Sequence, residues 1–296
     1  MSYVSRYSEL FKQQGIPHLI LEGKLFKVYS RMVMPEGPSK EDFSVSNDSI
    51  KHLFKFFNSP LIRLTCGFSQ SSEAGYYSML CDAFVSVDEI KSKKIKYEIN
   101  RAIRLCSVRK LNAKETADLA YPIYVKAIRS YSNFNGNIPD ENTFRKNILN
   151  TSQFEDIVHY WGVFFDNQLC GFATNYIYDK LEVNYSMIKY DPDFFSKGIS
   201  YALIYRMNEY YLGNQGFEFA TDGYTSLLHE SNIQSFLQRN FDFYPKPIHL
   251  HLTWKFPFSL LIPISQPFSN VLAKFDSRFK ALYRLNSFNN GPLKSR

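Results

Sequence analysis

The sequence predicts a mixed α/β fold, a central sheet flanked by helices, and three observations predict it. Alternation of apolar and polar residues over 181–190 makes a strand, which Asp191-Pro192-Asp193 ends because proline has no amide hydrogen to give a ladder. A helix then opens over 194–200, with Ile199, Ala202, Leu203, Met207 and Tyr210 near a 3.6-residue period, and stops at Gly213-Asn214-Gln215-Gly216. Finally, 296 residues with 45% hydrophobic and 21% charged content supply one large core or two modest ones, which excludes a disordered chain.

The other elements follow in order. Residues 3–13 suit a short helix. Residues 16–21 and 25–33 alternate as strands around the turn Glu22-Gly23-Lys24, before the break at Pro35-Glu36-Gly37-Pro38. A helix over 47–57 takes Asn47 as its N-cap and buries Leu53, Phe54 and Phe57, and two further strands occupy 61–66 and 76–83. Residues 87–106 read as one long helix, basic through Lys91, Lys93, Lys94, Lys96, Arg101 and Arg104, that packs Ile90, Tyr97, Ile99, Ala102 and Ile103 inward. Its bases either grip a phosphate chain or form an ordinary solvated face.

Beyond it, a strand at 108–111 leads to helices over 113–131 and 141–149, joined by 132–139. Residues 161–173 are two strands with a tight polar turn. After Trp254, two proline-containing turns precede a helix over 268–285 whose face of Phe268, Val271, Leu272, Phe275, Phe279, Leu282 and Tyr283 either docks on the body or lies on a membrane.

A net charge of +7 calls for anionic partners, whether nucleotide phosphates, RNA or an acidic membrane face. No motif suggests DNA as one of them. Cys66, Cys81, Cys106 and Cys170 are scattered, with no C-x-x-C spacing and no histidine cluster, so neither a metal site nor a disulfide framework is expected. The natural reading is a cytoplasmic protein, with contact at the inner membrane face through the C-terminal helix as an open alternative. The amino terminus has no secretion pattern, and no apolar run is long enough to span a bilayer. There is no G-x-S-x-G elbow, Walker lysine or dinucleotide fingerprint, which sets aside hydrolase, kinase and dehydrogenase chemistry.

Helices that start with small residues directly after a strand leave amide N–H groups facing the strand's end, a ready anion site. Ser196, Lys197, Gly198 and Ser200 suit that use, or form an ordinary cap with a loop glycine. The stretch Asn232-Ile233-Gln234-Ser235-Phe236-Leu237-Gln238-Arg239-Asn240-Phe241 resembles the last helix of GNAT-type N-acyltransferases, and 161–173 looks like that fold's second and third strands. The resemblance covers about half the chain, 108–254, through the order of its parts.

It implies a GNAT-like domain over 105–256 and acyl-coenzyme A as donor, held by Ile188, Ser196, Lys197, Gly198, Ile199, Ser200 and Asn232. The family's anion loop opens on Gln or Arg, where this chain has Phe195, and closes on Gly or Ala, where it has Ser200. Phe236 replaces a tyrosine that often protonates the leaving thiolate, and Asn240 stands where the family has Gly. Fem-type transferases, which take aminoacyl-tRNA and build two GNAT-like halves, show similar losses. Residues 1–104 resemble a partial first half ending in the basic helix, and 257–296 form a C-terminal helix and tail.

Acyl transfer to an amine needs a base, oxyanion donors and a proton for the leaving group. Glu182 stands where the family often has its base, and shares a strand face with Asn184 and Ser186, a polar stripe that is either functional or a wetted edge. Asp222 ends a strand, where open sheets bind ligands, or simply starts a turn with Gly223. His229 titrates in the right range or is a plain loop residue. Tyr131, Asn133 and Phe134 lie where the family covers its acceptor. The expected activity is N-acyl transfer from acyl-coenzyme A to a small-molecule or peptide amine; the alternatives are tRNA-dependent aminoacyl transfer and a non-catalytic binding protein.

Overall fold

Local chain chemistry sets where each element starts and stops in the computed structural model, which describes residues 2–70, 75–131, 136–225, 232–268, 271–272, 274 and 277–288. In chain order the elements are α1 (Tyr3–Gln14), β1 (His18–Leu21), β2 (Lys24–Tyr29), β3 (Met32–Glu36), α2 (Asn47–Phe57), β4 (Leu61–Phe68), β5 (Tyr77–Cys81), α3 (Lys93–Leu105) and β6 (Cys106–Leu111). They continue with α4 (Ala113–Leu119), α5 (Tyr121–Arg129), α6 (Glu141–Leu149), β7 (Val158–Phe165), β8 (Gln168–Tyr178) and β9 (Glu182–Tyr190). Last come α7 (Ile199–Asn208), β10 (Phe219–Tyr224), α8 (Asn232–Asn240), β11 (Tyr244–Trp254), α9 (Phe258–Ser265) and α10 (Ser277–Ser287). The mixed α/β class expected from the sequence is the one observed.

Two compact units form, one from residues 1–79, 224–235 and 244–296, the other from 80–223 and 236–243. In the first, β1, β2, β3, β4 and β11 are neighbours in that order, and only β3 and β4 run parallel. Glu22 and Gly23 both take positive φ, as a two-residue hairpin turn requires. Ser30 and Arg31 do the same, which splits the single strand expected over 25–33 into β2 and β3, without the Gly or Asn that usually takes positive φ. Phe26, Val33, Ile50, Leu53, Ile62 and Leu64 make the core here, with Phe54 and Phe57 only partly buried against it. Ser46, not Asn47, caps α2, its hydroxyl accepting from the Ser49 amide.

The second unit holds β6, β7, β8, β9 and β10 as successive neighbours, antiparallel except for the parallel pair β9 and β10. Helix α7 packs on β6, β7 and α3, while Phe144 of α6 meets Phe172 of β8 edge-on. The basic helix expected over 87–106 is shorter: the Ser86 amide and hydroxyl both bond Glu89 as a turn, and the helix starts only after the Ser92 cap. Ile99 and Ala102 face inward as expected, whereas Tyr97 is exposed. Residues 113–131 form two helices, because Pro122 cannot donate an amide bond across the junction. After α7 the chain widens into a π-helical turn, Glu209–Asn214. Among the described residues, no helix is long and apolar enough to cross a membrane.

Candidate functional site

Strand β9 carries a bulge. Thr174 lies opposite Met187 and Tyr176 opposite Asn184, so Tyr185 and Ser186 together face the single residue Asn175. The parallel pairing of β9 with β10 runs from Glu182/Phe219 to Asn184/Thr221 and ends there, although both strands continue. No pair joins them beyond the bulge, and the gap so opened, the cleft, lies at their carboxyl ends, where open sheets bind ligands. Strand alternation divides its lining. Ile188, Tyr190 and Asp222 face the side of α7, to which Tyr185 is tied by its hydroxyl donating to Asn208 at 2.8 Å. Met187 and Lys189 face the other side, where Lys189 Nζ donates to the Tyr131 hydroxyl at 3.1 Å.

Glu182 is fully buried, and its Oε1 accepts from the Thr221 hydroxyl at 2.8 Å. The bulge breaks the polar stripe expected from strand alternation: Glu182 and Asn184 share one face, while Ser186 falls in register with Ile188 and Tyr190 and reaches solvent. Asp222 is partly buried near the open end of β10. On the same side of the sheet is a residue that sequence reasoning missed, Tyr190, whose hydroxyl is enclosed and has no hydrogen-bond partner among the described residues. Burial, and then the Asp222 charge, push its phenol well above the usual tyrosine range. The missed signal is an aromatic with a polar tip at the carboxyl end of a central strand. Tyr131 is exposed at the cleft's other side. Asn133, Phe134 and His229 lie outside the described residues, as does the side chain of Asn232, which opens α8.

The anion turn is a 3-10 helix, Pro192–Lys197, closed by Gly198 in the left-handed region at φ 79°. Two helices hold it. Lys126 of α5 reaches Asp191 at 2.8 Å and Asp193 at 3.1 Å, and these bonds raise the lysine pKa. From α3, Arg101 Nη2 donates to the Ser196 carbonyl at 2.6 Å, while a Cβ on Gly198 would meet Ala102 Cβ at 3.0 Å. Ser196, Lys197, Gly198, Ile199 and Ser200 are thus brought together at the start of α7, with Phe195 exposed and the inward side of Gly198 filled. Gly198→Ala is expected to cost about 1–2 kcal/mol of stability through its positive φ and that contact, read as a shift in urea midpoint. The Asn240 side chain accepts from the Tyr201 hydroxyl at 3.2 Å and donates to the Phe236 carbonyl, a use the glycine common in the family does not permit.

Beneath α7 lies a buried polar hub. The Tyr211 hydroxyl accepts from Trp161 Nε1 at 2.8 Å and Asn175 Nδ2 at 3.3 Å, and so donates to His159 Nδ1 at 2.8 Å. Burial, with Lys110 nearby, holds the His159 pKa down at about 3. In the unfolded chain the same ring titrates near its ordinary value, so stability is complete above about pH 6.5 and falls as pH drops toward 3. Wild-type protein should lose about 1–2 kcal/mol between pH 7 and 5 from this group, and His159→Gln should flatten that slope in urea titrations at the two pH values. Burial also raises Cys66, Cys81 and Cys106 to about 11, which leaves them poor nucleophiles. No group of three or more His, Cys, Asp or Glu that fits a metal occurs among the described residues.

No family profile and no curated protein sequence matches the chain. Solved structures do. A crystal structure of FemX superposes with a TM-score of 0.56 at 11% identity, covering 82% of this chain and 89% of that one. The C-terminal domain of a protein named as a lysylphosphatidylglycerol synthetase, from Agrobacterium fabrum, gives 0.54 at 12%, covering 83% and 90%. A conserved protein of unknown function from Bacteroides thetaiotaomicron gives 0.50 at 11%, covering 84% and 90%. The chain has a GNAT-type fold in a Fem-like layout, as its motifs suggested.

Proposed function

We propose that the protein transfers an acyl or aminoacyl group to the amine of a small-molecule or peptide acceptor by direct attack in the cleft of β9 and β10. The parting of those strands at the bulge, in a Fem-like fold, is the observation that carries this reading. The acceptor enters beside Tyr131 and Lys189, the donor on the side of α7. Asp222 takes a proton as the amine nitrogen attacks the carbonyl carbon, and backbone amides freed by the parted strands stabilise the oxyanion. As the bond to the carrier breaks, Tyr190 protonates the leaving atom; its hydroxyl is enclosed in the free protein and meets that atom only once the donor lies between the strands. Asp222 then returns its proton to the neighbouring phenolate. Glu182, enclosed and bonded by Thr221, is the alternative base, acting through water.

Of the two donors the sequence leaves open, we favour aminoacyl-tRNA, which reverses their order there. Ala102 against Gly198 and Arg101 on the Ser196 carbonyl oppose a pyrophosphate at the turn. Exposed Lys91, Lys93, Lys94 and Tyr97 offer charge and a stacking face to RNA. Coenzyme A keeps the helix N-terminus of α7 in its favour. Thermal melts with coenzyme A and acetyl-coenzyme A, beside filter retention of charged tRNA over a salt series, separate them. Salt-sensitive tRNA retention with no melting shift is expected; a shift with coenzyme A and no retention restores the thioester donor, and neither response leaves the binding-protein alternative.

A further inference from the structure

The net charge of this chain is not spread along it. Of 35 basic and 28 acidic residues, eight basic and one acidic fall in 243–296, which leaves 27 of each sign before that point. The same segment carries the most exposed apolar side chains. Phe256 is 73% exposed, Leu260 59%, Leu261 52%, Ile264 68% and Phe268 62%. Helix α9, Phe-Ser-Leu-Leu-Ile-Pro-Ile-Ser, contains no charged residue and buries only Ile262. Apolar surface of this kind, contiguous and outward, is rare on a protein that meets only water.

Helix α9 is held in that orientation by polar bonds on its inner side. The Tyr283 hydroxyl of α10 donates to Ser265 Oγ at 2.6 Å, Asn286 Nδ2 donates to Gln266 Oε1 at 3.2 Å, and Trp254 Nε1 of β11 donates to Asn286 Oδ1 at 3.2 Å. Those contacts fix which residues turn outward. In the chain Lys255 precedes this apolar stretch, and Lys274 and Arg284, both exposed, follow it.

We propose that α9 and its flanks, 256–268, form a docking surface for an anionic lipid bilayer, the apolar side chains entering the acyl boundary and the bases of the segment meeting lipid phosphates. An uncharged apolar helix within the segment that carries the chain's whole excess of positive charge selects a membrane over a second copy of the protein, whose equal positive charge would repel it. Sequence pattern alone pointed to the helix over 268–285; the exposed side chains move the contact to α9. This inference does not rest on the transfer reaction.

Co-sedimentation with vesicles of phosphatidylcholine containing phosphatidylglycerol, and with phosphatidylcholine alone, tests it with full-length protein. Retention is expected on the anionic vesicles, weakening as salt rises. Leu261→Glu/Ile264→Glu should lower the bound fraction about tenfold or more, because each change puts a charge where an apolar side chain would be buried. Lys274→Glu/Arg284→Glu, which leaves the apolar face intact, should weaken retention on anionic vesicles as well. The proposal is overturned if wild-type protein ignores anionic vesicles or if both variants bind like wild type. It is also overturned if the wild-type chain is a dimer in light scattering that the Leu261→Glu/Ile264→Glu change dissociates, since the face would then be an interface between copies.

Discussion

Replacing Asp222 by Asn is expected to lower turnover about 10²–10⁴-fold, the usual share of a positioned base, with little change in folding. Asparagine keeps the shape of the side chain and loses the ability to take a proton. Tyr190→Phe should reduce turnover on a similar scale, and its structural cost should be small, because the hydroxyl it removes makes no hydrogen bond among the described residues. If the two residues pass one proton between them, the double variant will be no slower than the worse single one, since groups that act as a unit are not additive. The measurement is transfer of a labelled aminoacyl group to an amine acceptor under single-turnover conditions. An Asp222→Asn enzyme that keeps half of wild-type turnover would remove Asp222 from the mechanism, and Glu182→Gln would be the next variant to assay.

Tyr211→Phe is the opposite case, a hydroxyl lost from a place where everything depends on it. Trp161 Nε1 and Asn175 Nδ2 would lose an acceptor, and His159 Nδ1 a donor, inside a packed core. Leaving such groups unpaired should cost about 2–4 kcal/mol, seen as a lower urea midpoint at unchanged m-value. Asn175 Nδ2 would keep only its weak contact to Met207 Sδ at 3.3 Å, so most of the cost falls on Trp161 and His159. A loss under about 0.5 kcal/mol would mean that water replaces the hydroxyl and that the hub is not a source of stability.

The sequence was most readable where one chemical rule acts alone. Alternation over 181–190 and the proline after it located β9, while the helix expected to open at 194 begins at Ile199, after a 3-10 turn. Harder to see was anything decided by a partner far along the chain. The Ser30-Arg31 turn adopts a glycine-like backbone without glycine, because the flanking strands pair and impose it. Tyr97 was expected to pack inward but is exposed, because it stands two residues from Ile99, on the opposite side of α3 from the buried Ile99 and Ala102. At the proposed site, Asp222 was legible as a carboxylate near the end of a strand. Tyr190 was not, because its unpaired hydroxyl is a property of the folded surroundings and leaves no trace in neighbouring residues.

Helix α3 presents Lys93, Lys94 and Tyr97 outward and sets Arg101 and Ala102 against the turn that begins α7. Its two faces would be thermodynamically linked if binding on the outer face shifted the helix. A polyanion that draws the helix away from the turn must break the Arg101 bond to Ser196 and uncover Gly198, and by reciprocity anything that fills the uncovered space strengthens the hold of that polyanion. Mutating the outward lysines would then alter occupancy at the turn through a helix the occupant's own binding loop does not include.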